Sequence, residues 1–504
     1  MDKLLPVANG CMLPRKEIPV LDFTLFRDEL LAFAENGGYI VQFFAFTENT
    51  RLKALAVLRK DTNLYAVSCL LPDEYQALTA ENSKFHLFER EIAEQYGVRP
   101  LNHPWLKPVR YHANQRGCQD IFGNDYKEDI PGNYDYFRVE GEQIHEVGVG
   151  PVHAGIIEPG HFRFQCIGEI VLHLEIQLGY QHRGVEKLLT SFPFKRLPIV
   201  VEGIAGDTAM ANSISYAQAV EALSLCHDAD TTARTLRTAA LELERLACHV
   251  GDLGALSGDV AFNPPAAYYG RLRGEFLNLL VILSGNRFGR GLIRPGGVTM
   301  PLDEKNAALI VAKIQEVRPE IIQVADLLFT AHTVLSRFEA CGRVDRDTAI
   351  ALGLVGVAGR ASGINYDARV DFPTEKSGDF APCKHIRQKG GVYSRAWVRY
   401  EEILHSLDQV EKLVSAANLG KTITPNPVEN LVPDAFVVTL NEAWRGELSH
   451  CVLTDAEGRI ARYKIKDPSF HNWTGLAMAL RNEQISDFPL NNKSFNLSYC
   501  GFDL

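Results

Sequence analysis

Residues 232–258, TARTLRTAALELERLACHVGDLGALSG, bring Leu236, Leu243, Leu246, Val250 and Leu253 back at helical intervals. An apolar stripe kept up for roughly seven turns predicts a helix that must lie against other helices. Similar patterns cover residues 266–285, 303–338 and 396–417. Residues 148–504 therefore read as one mainly helical body, large for a single domain. Two hairpin signals flank it, HFRFQCIGEIVLHLEI (161–176) and ELSHCVLTDAEGRIARYKI (447–465), the second turning at Ala456-Glu457-Gly458.

The first 110 residues are of another kind. A helix over 24–36 stops at Gly37-Gly38, and β-rich runs follow at 39–47, 52–59 and 64–71, separated by short polar turns. A second helix over 84–97 sets Phe85, Phe88, Ile92 and Tyr96 on one face. This is a small α+β unit. Residues 111–147, rich in Asn, Gly, Asp, Tyr and Pro, read as an extended connector. The fold class expected for the whole is α+β, a small α+β unit fused to a large helical one.

Composition excludes several classes of function. No run approaches the roughly 20 apolar residues that cross a bilayer, and the start, MDKLLPVANGCMLPRKEIPV, has no apolar core of a signal peptide. A net charge of −10 speaks against a nucleic-acid binder. The ten cysteines are scattered, with no CxxC and no zinc spacing, which suits buried reduced thiols. No GxGxxG follows a strand, so direct NADH binding is not expected. The expected location is cytoplasmic.

Polar and glycine-rich signatures crowd the second unit: GPVHAGIIEPGHF (150–162), YQHRGVEKLL (180–189), LERLACHVGDLG (243–254), GRASGINYDAR (359–369), GGVYSRAWVRYEEI (390–403), EAWRGELSH (442–450) and DFPLNNKSFNLSY (487–499). Read singly, each is structural. Glycines permit turns, and Arg183 with Glu186, or Arg445 with Glu447, read as local ion pairs. Arg360, Asp367, Arg369 and Asp371 read the same way, and His249 with Asp252 as ordinary polarity on a helix face.

Together and in this order, they resemble a family. Residues 148–504 look like the large subunit of membrane-bound, energy-converting [NiFe]-hydrogenases of the hydrogenase-3/4, formate hydrogenlyase type. They are also similar to the quinone-proximal large subunit of the related complex I, the NADH-quinone oxidoreductase. FHLFEREIAEQYGVRPLNHPWLKPVRY (85–111) resembles the small peripheral-arm subunit that accompanies it there, so the chain looks like the fused form.

The resemblance implies expectations for particular residues. In such hydrogenases Cys-Gly-x-Cys follows HRGxEK and Cys-x-x-Cys stands at the C-terminus, four thiolates suited to nickel and iron. Here the first pair falls on Ala205 and Thr208 and the second on Ser498 and Gly501, with Cys500 one residue out of step. The following histidine becomes Asn212, and the chain stops at Leu504 without the extension that nickel-inserting proteases remove. No metal ligand and no cofactor of the chain's own are therefore expected. In complex I a His and a Tyr hold the quinone headgroup; those positions fall on Ile157 and Gly206, leaving His153 as a cavity candidate. Arg183 would stand near the iron–sulphur cluster of a partner small subunit, and Arg290 where complex I has a His close to that cluster. Glu186 matches a carboxylate with a proton-relay role, which burial would suit by raising its pKa towards neutrality. Its equal alternative is a buried Glu paired with Arg183 or Lys187.

The implied function is that of a subunit of a membrane-associated, complex-I-like or hydrogenase-4-like assembly, peripheral on the inner face of the cell membrane. Its implied partners are an iron–sulphur small subunit and antiporter-like membrane subunits. The cavity would take a quinone or another organic acceptor. The alternative is a non-catalytic scaffold descended from a hydrogenase subunit, and last comes a hydrogenase with oxygen and nitrogen ligands.

Overall fold

The computed structural model describes residues 3–117, 119–123, 132, 134–152, 157–224, 229–380, 384–417, 428 and 430–504. Near the N-terminus, strands Tyr39–Glu48, Arg51–Lys60 and Asn63–Leu70 form an antiparallel meander. Leu5–Val7 and Val20–Leu21 add to the outer edge of Asn63–Leu70, the first antiparallel and the second parallel. Helix Phe23–Glu35 starts where the Asp22 carboxylate accepts the Thr24 N–H at 2.9 Å. Its Phe26 packs against Phe43 of the sheet, ring centroids 6.0 Å apart.

Helix His86–Tyr96 ends on Gly97 at φ 68°, a left-handed stop that glycine takes without strain. The sequence predicts one buried face; every residue of this helix is buried. Its acidic side is covered by the larger unit, and each carboxylate is answered there or at home. Glu91 pairs with Lys464 at 2.6 Å and with Arg110. Glu89 accepts the N–H groups of Leu78 and Thr79, and Glu94 those of Arg110 and Tyr111. Burial pushes Glu94 up to about 7 despite those bonds.

The helical body is built on Thr231–Asp259, which packs on Asn263–Ser284 and Val392–Ala416. Ala209–Ser224, made largely of small residues and almost wholly buried, packs on strands Ala435–Ala443 and Gly446–Thr454. Two predictions differ from the structure. The helix expected over 303–338 is two, Glu304–Thr330 and His332–Ala340, broken at an extended Ala331 that no Pro or Gly announces. The hairpin Gly446–Thr454/Ile460–Lys466 has a third strand, Ala435–Ala443, which is buried on both faces and so lacks the alternation that betrays a strand. Leu13–Pro14 joins this sheet as a fourth, pairing with Ala435 and Phe436. From the connector region, Ile144–Val149 pairs with His161–Ile167, whose other neighbour is Ile170–Gln177.

One hydrophobic cluster runs from Phe26 and Phe43 through Phe88 to Phe470, Trp473 and Phe502. The small unit and the end of the chain thus share a core. No helix among the described residues is long and apolar enough to cross a membrane.

Candidate functional site

The turn Ala205–Thr208 and the C-terminal segment Ser498–Leu504 lie side by side, held together by two arginines. Arg183, at the mouth of helix Val185–Ser191, donates to the carbonyls of Gly203 (2.5 Å), Ile204 (2.7 Å) and Cys500 (3.2 Å). Its own backbone N–H reaches the Leu504 carbonyl at 3.0 Å. The Asp503 carboxylate accepts the N–H groups of Gly179 and Gln181, both at 2.8 Å, which fixes the end of the chain against the HRG segment.

Arg445 works from inside. Its two terminal nitrogens donate to the two Asp207 oxygens, each at 2.8 Å, and its Nε to the Asn496 carbonyl at 2.6 Å. Such a bidentate pair is strong and fixed in direction. Burial pushes Asp207 up, but Arg445 beside it carries the carboxyl below its usual range. Trp444 Nε1 donates to the Asp207 carbonyl at 3.0 Å. A tight turn with small side chains is what lets the guanidinium and indole come this close.

The four ligand-equivalent positions are packed. Ala205, Thr208, Ser498 and Gly501 are all buried. Thr208 Oγ1 accepts from Arg445 at 3.2 Å and lies 3.0 Å from Asp207 Oδ1. Ser498 Oγ accepts the Gly501 N–H at 2.9 Å. A Cβ placed on Gly501 would lie 2.6 Å from Asp467 Oδ2, closer than real Cβ contacts come. That oxygen is buried and has no hydrogen-bond partner among the described residues, while its twin accepts the Ser469 N–H at 2.8 Å. Asp467 thus stands in the space a side chain at 501 would need. This donor set of two engaged hydroxyls and no thiolate does not fit a four-thiolate nickel–iron centre. Among the described residues no group of three His, Cys, Asp or Glu is placed to hold a metal ion.

Two thiols adjoin the turn. Burial, then Glu158, pushes Cys500 up to about 11. Burial with Asp207 and Glu244 raises Cys248, whose Sγ donates to the Asp207 carbonyl at 3.5 Å, well above the ordinary thiol. Burial and the neighbouring carboxylates thus hold both as neutral thiols.

The local ion pairs read from the sequence are not made. Arg183 binds carbonyls, Arg445 binds Asp207, and Glu447 pairs with Arg59 (2.7 Å) and Lys466 (2.8 Å). Glu186 takes Arg462 at 2.8 Å, Lys464 at 3.0 Å and the Ile465 N–H at 3.1 Å, not Arg183 or Lys187. Burial raises its pKa, but Arg462, Lys464 and Arg110 more than offset this and hold it well below the carboxylate range. The near-neutral titration expected of Glu186 is therefore corrected. Arg290 is exposed, its Nη2 3.6 Å from where a Cβ on Gly206 would be, so Arg183 and Arg290 flank the same turn. Ile157 is exposed, and His153 lies outside the described residues. Asn212 donates to the Thr208 carbonyl and meets His450 at 3.1 Å.

Other expected ion pairs do form, some local and some with distant partners. Arg360 meets Glu402 and Glu442, both at 2.7 Å, Arg369 meets Asp367 at 2.7 Å, and Asp371 meets Lys384 at 2.6 Å. His249 lies 3.0 Å from Glu402, and Asp252 accepts from Arg399 at 2.6 Å. Within the signature 243–254 the sequence reading singles out His249 and Asp252 but not the face Glu244, Cys248, Asp252, which at i, i+4, i+8 touches the Met210 N–H, the Asp207 carbonyl and the Asn496 amide. Three polar residues at helical spacing on an apolar helix were the available signal.

Residues 259–435 and 422–503 match the family described as respiratory-chain NADH dehydrogenase, 49 Kd subunit. The chain is 27% identical over 445 residues to formate hydrogenlyase subunit 5 of Escherichia coli K12, covering 85% of this chain and 77% of that protein. It is 26% identical over 425 residues to hydrogenase-4 component G of the same organism, covering 82% and 73%. With NADH-quinone oxidoreductase subunit 4 of Thermus thermophilus it shares 28% over 371 residues, covering 68% and 90%. This chain is related to the hydrogenase-3/4 and complex I large subunits. The two E. coli relatives are matched over most of this chain, as a fused hydrogenase-3/4-type large subunit would be.

Proposed function

We propose that the chain is a peripheral subunit of a membrane-associated redox assembly of the complex I and hydrogenase-4 kind, on the inner face of the cell membrane. It stands against an iron–sulphur subunit and near antiporter-like membrane subunits, and holds no nickel–iron centre of its own. The observation that carries this reading is the joined frame: Arg183 and Arg445 keep the two ligand-bearing segments together, while the ligand positions are Ala205, Thr208, Ser498 and Gly501. Arg183 and Arg290 supply positive charge at the rim of that frame, which would raise the potential of a neighbouring cluster. Metal analysis of the complex purified from membranes tests the reading. Nickel well below one per chain is expected; one nickel per chain overturns it.

An inert scaffold is the second reading, and Asp467 standing in the space at Gly501 favours it. A quinone headgroup would find Ile157 and Gly206 where complex I offers hydrogen-bond donors from side chains, so discrimination by such bonds is lost. Redox titration of the partner's cluster with added quinones separates the two. Reoxidation by quinone that is abolished by crowding the site, as in Gly206→Trp, supports an acceptor cavity, and inertness supports the scaffold.

A further inference from the structure

A cavity of about 90 Å³ lies behind the C-terminal segment, between helix His86–Tyr96, strand Ile170–Gln177 and helix Ser469–Ala479. At about 10–15 Å³ for a water of this measure, it has room for several waters or a small organic molecule. Its walls are Leu87, Trp105, Tyr134, Leu174, Trp473 and Phe502, aromatic and apolar for the most part.

The charged side chains in the lining, Arg90 and Arg481, have one sign. Arg90 is buried with its guanidinium 4.7 Å from the Trp105 ring centroid. Its Nε and Nη2 donate to the carbonyls of Lys107 (2.8 Å) and Pro108 (2.9 Å), and no carboxylate of a described residue pairs with it. Burial lowers its pKa accordingly. Glu94 and Glu175 act on it through space and offset only part of that burial; a buried cation without a direct ion pair is costly, and proteins otherwise pair such groups. The neighbouring carboxylate, Glu175, is already taken by Lys107 (2.6 Å), the Tyr134 hydroxyl (3.0 Å) and the Phe137 N–H (2.8 Å). Arg481 stands exposed at the rim. One more lining residue holds spare capacity: His173 Nε2 is buried without a partner among the described residues, while the Tyr111 hydroxyl is engaged by Tyr134.

We infer that this cavity binds a small planar organic carboxylate, its anion on Arg90 and its flat apolar body between Trp105, Tyr134 and Trp473. The charge follows from the unpaired guanidinium, which a carboxylate matches geometrically. The size of the cavity sets the limit of about one ring, and aromatic walls favour a planar body. A doubly charged phosphate brings a second charge that one buried cation does not answer. The site is separate from the Arg183–Arg445 frame and does not rest on the redox reading. It is nonetheless next to that frame, because Trp473 donates to the Ser498 carbonyl at 3.3 Å and Phe502 follows Gly501.

Calorimetric titration of the full chain with benzoate, benzyl alcohol and inorganic phosphate tests this. Benzoate is expected to bind at one site per chain, about tenfold or more tighter than benzyl alcohol, with phosphate silent. Arg481→Gln, an exposed change, should weaken benzoate several-fold without altering the thermal midpoint of the free chain. Ala477→Phe, which fills the cavity, should abolish binding. Equal binding of benzoate and benzyl alcohol, no saturable binding of either, or full affinity in Ala477→Phe overturns the inference.

Discussion

Glu186 shows how far one side chain can depart from what its neighbours in sequence suggest. Two cations 276 and 278 residues away hold it ionised, so its worth lies in pairing. A carboxyl held below its unfolded value near 4.3 contributes stability that is complete above that pH and fades only as pH falls through the folded value. Glu186→Gln should cost about 3–5 kcal/mol by leaving Arg462 and Lys464 short of a partner. The loss, followed as the fall in thermal midpoint, should be constant from pH 5 to 8; a loss that varies across neutrality would restore a relay-like titration. Glu244 behaves in the opposite sense. Burial pushes it up to about 8 although it accepts the Met210 and Ala211 N–H groups. A raised pKa means the unfolded chain ionises first, so stability drains away between about 4.3 and 8. Glu244→Gln should therefore match the wild type near pH 4 and gain on it steadily up to pH 8, in melting curves taken across that range.

At the scale of elements, the joined segments rest on close packing at Gly501. Gly501→Ala would press a methyl on Asp467 and is expected to cost about 1–3 kcal/mol, the usual range for overpacking. Asp467→Ala in the same chain should recover part of that loss, a coupling that two independent sites would not show. Chemical denaturation of the two single variants and the double variant measures it. The elements themselves were largely legible: the strands over 39–47, 52–59 and 64–71 and the long helix over 232–258 stand within a residue or two of their expected ends. Periodicity carries that information. Partners were not legible, because Asp207 and Arg445 are 238 residues apart and Asp467 is brought to Gly501 only by the last sheet. Glycine at 501 read as a lost ligand; that its space is contested by a carboxylate is a fact of packing.

For the whole molecule, the boundary seen in composition near residue 110 does not divide the core. Arg59 of the meander reaches Glu447 at 2.7 Å and lies 3.4 Å over the Tyr366 ring centroid, and Lys464 reaches back to Glu91. Two units that share buried ion pairs and one apolar cluster should melt together. Calorimetry is expected to show a single cooperative transition, with calorimetric and van't Hoff enthalpies alike for the shared core; two well-separated peaks would contradict this.

The short strand Leu13–Pro14 pairs with Ala435 and Phe436, more than four hundred positions later. Whatever the order of other events, this pairing waits until Ala435 and Phe436 have been made. Leu13 and Pro14 thus wait through the synthesis of more than four hundred residues before they are secured, at a time when unpaired strands invite association with other chains.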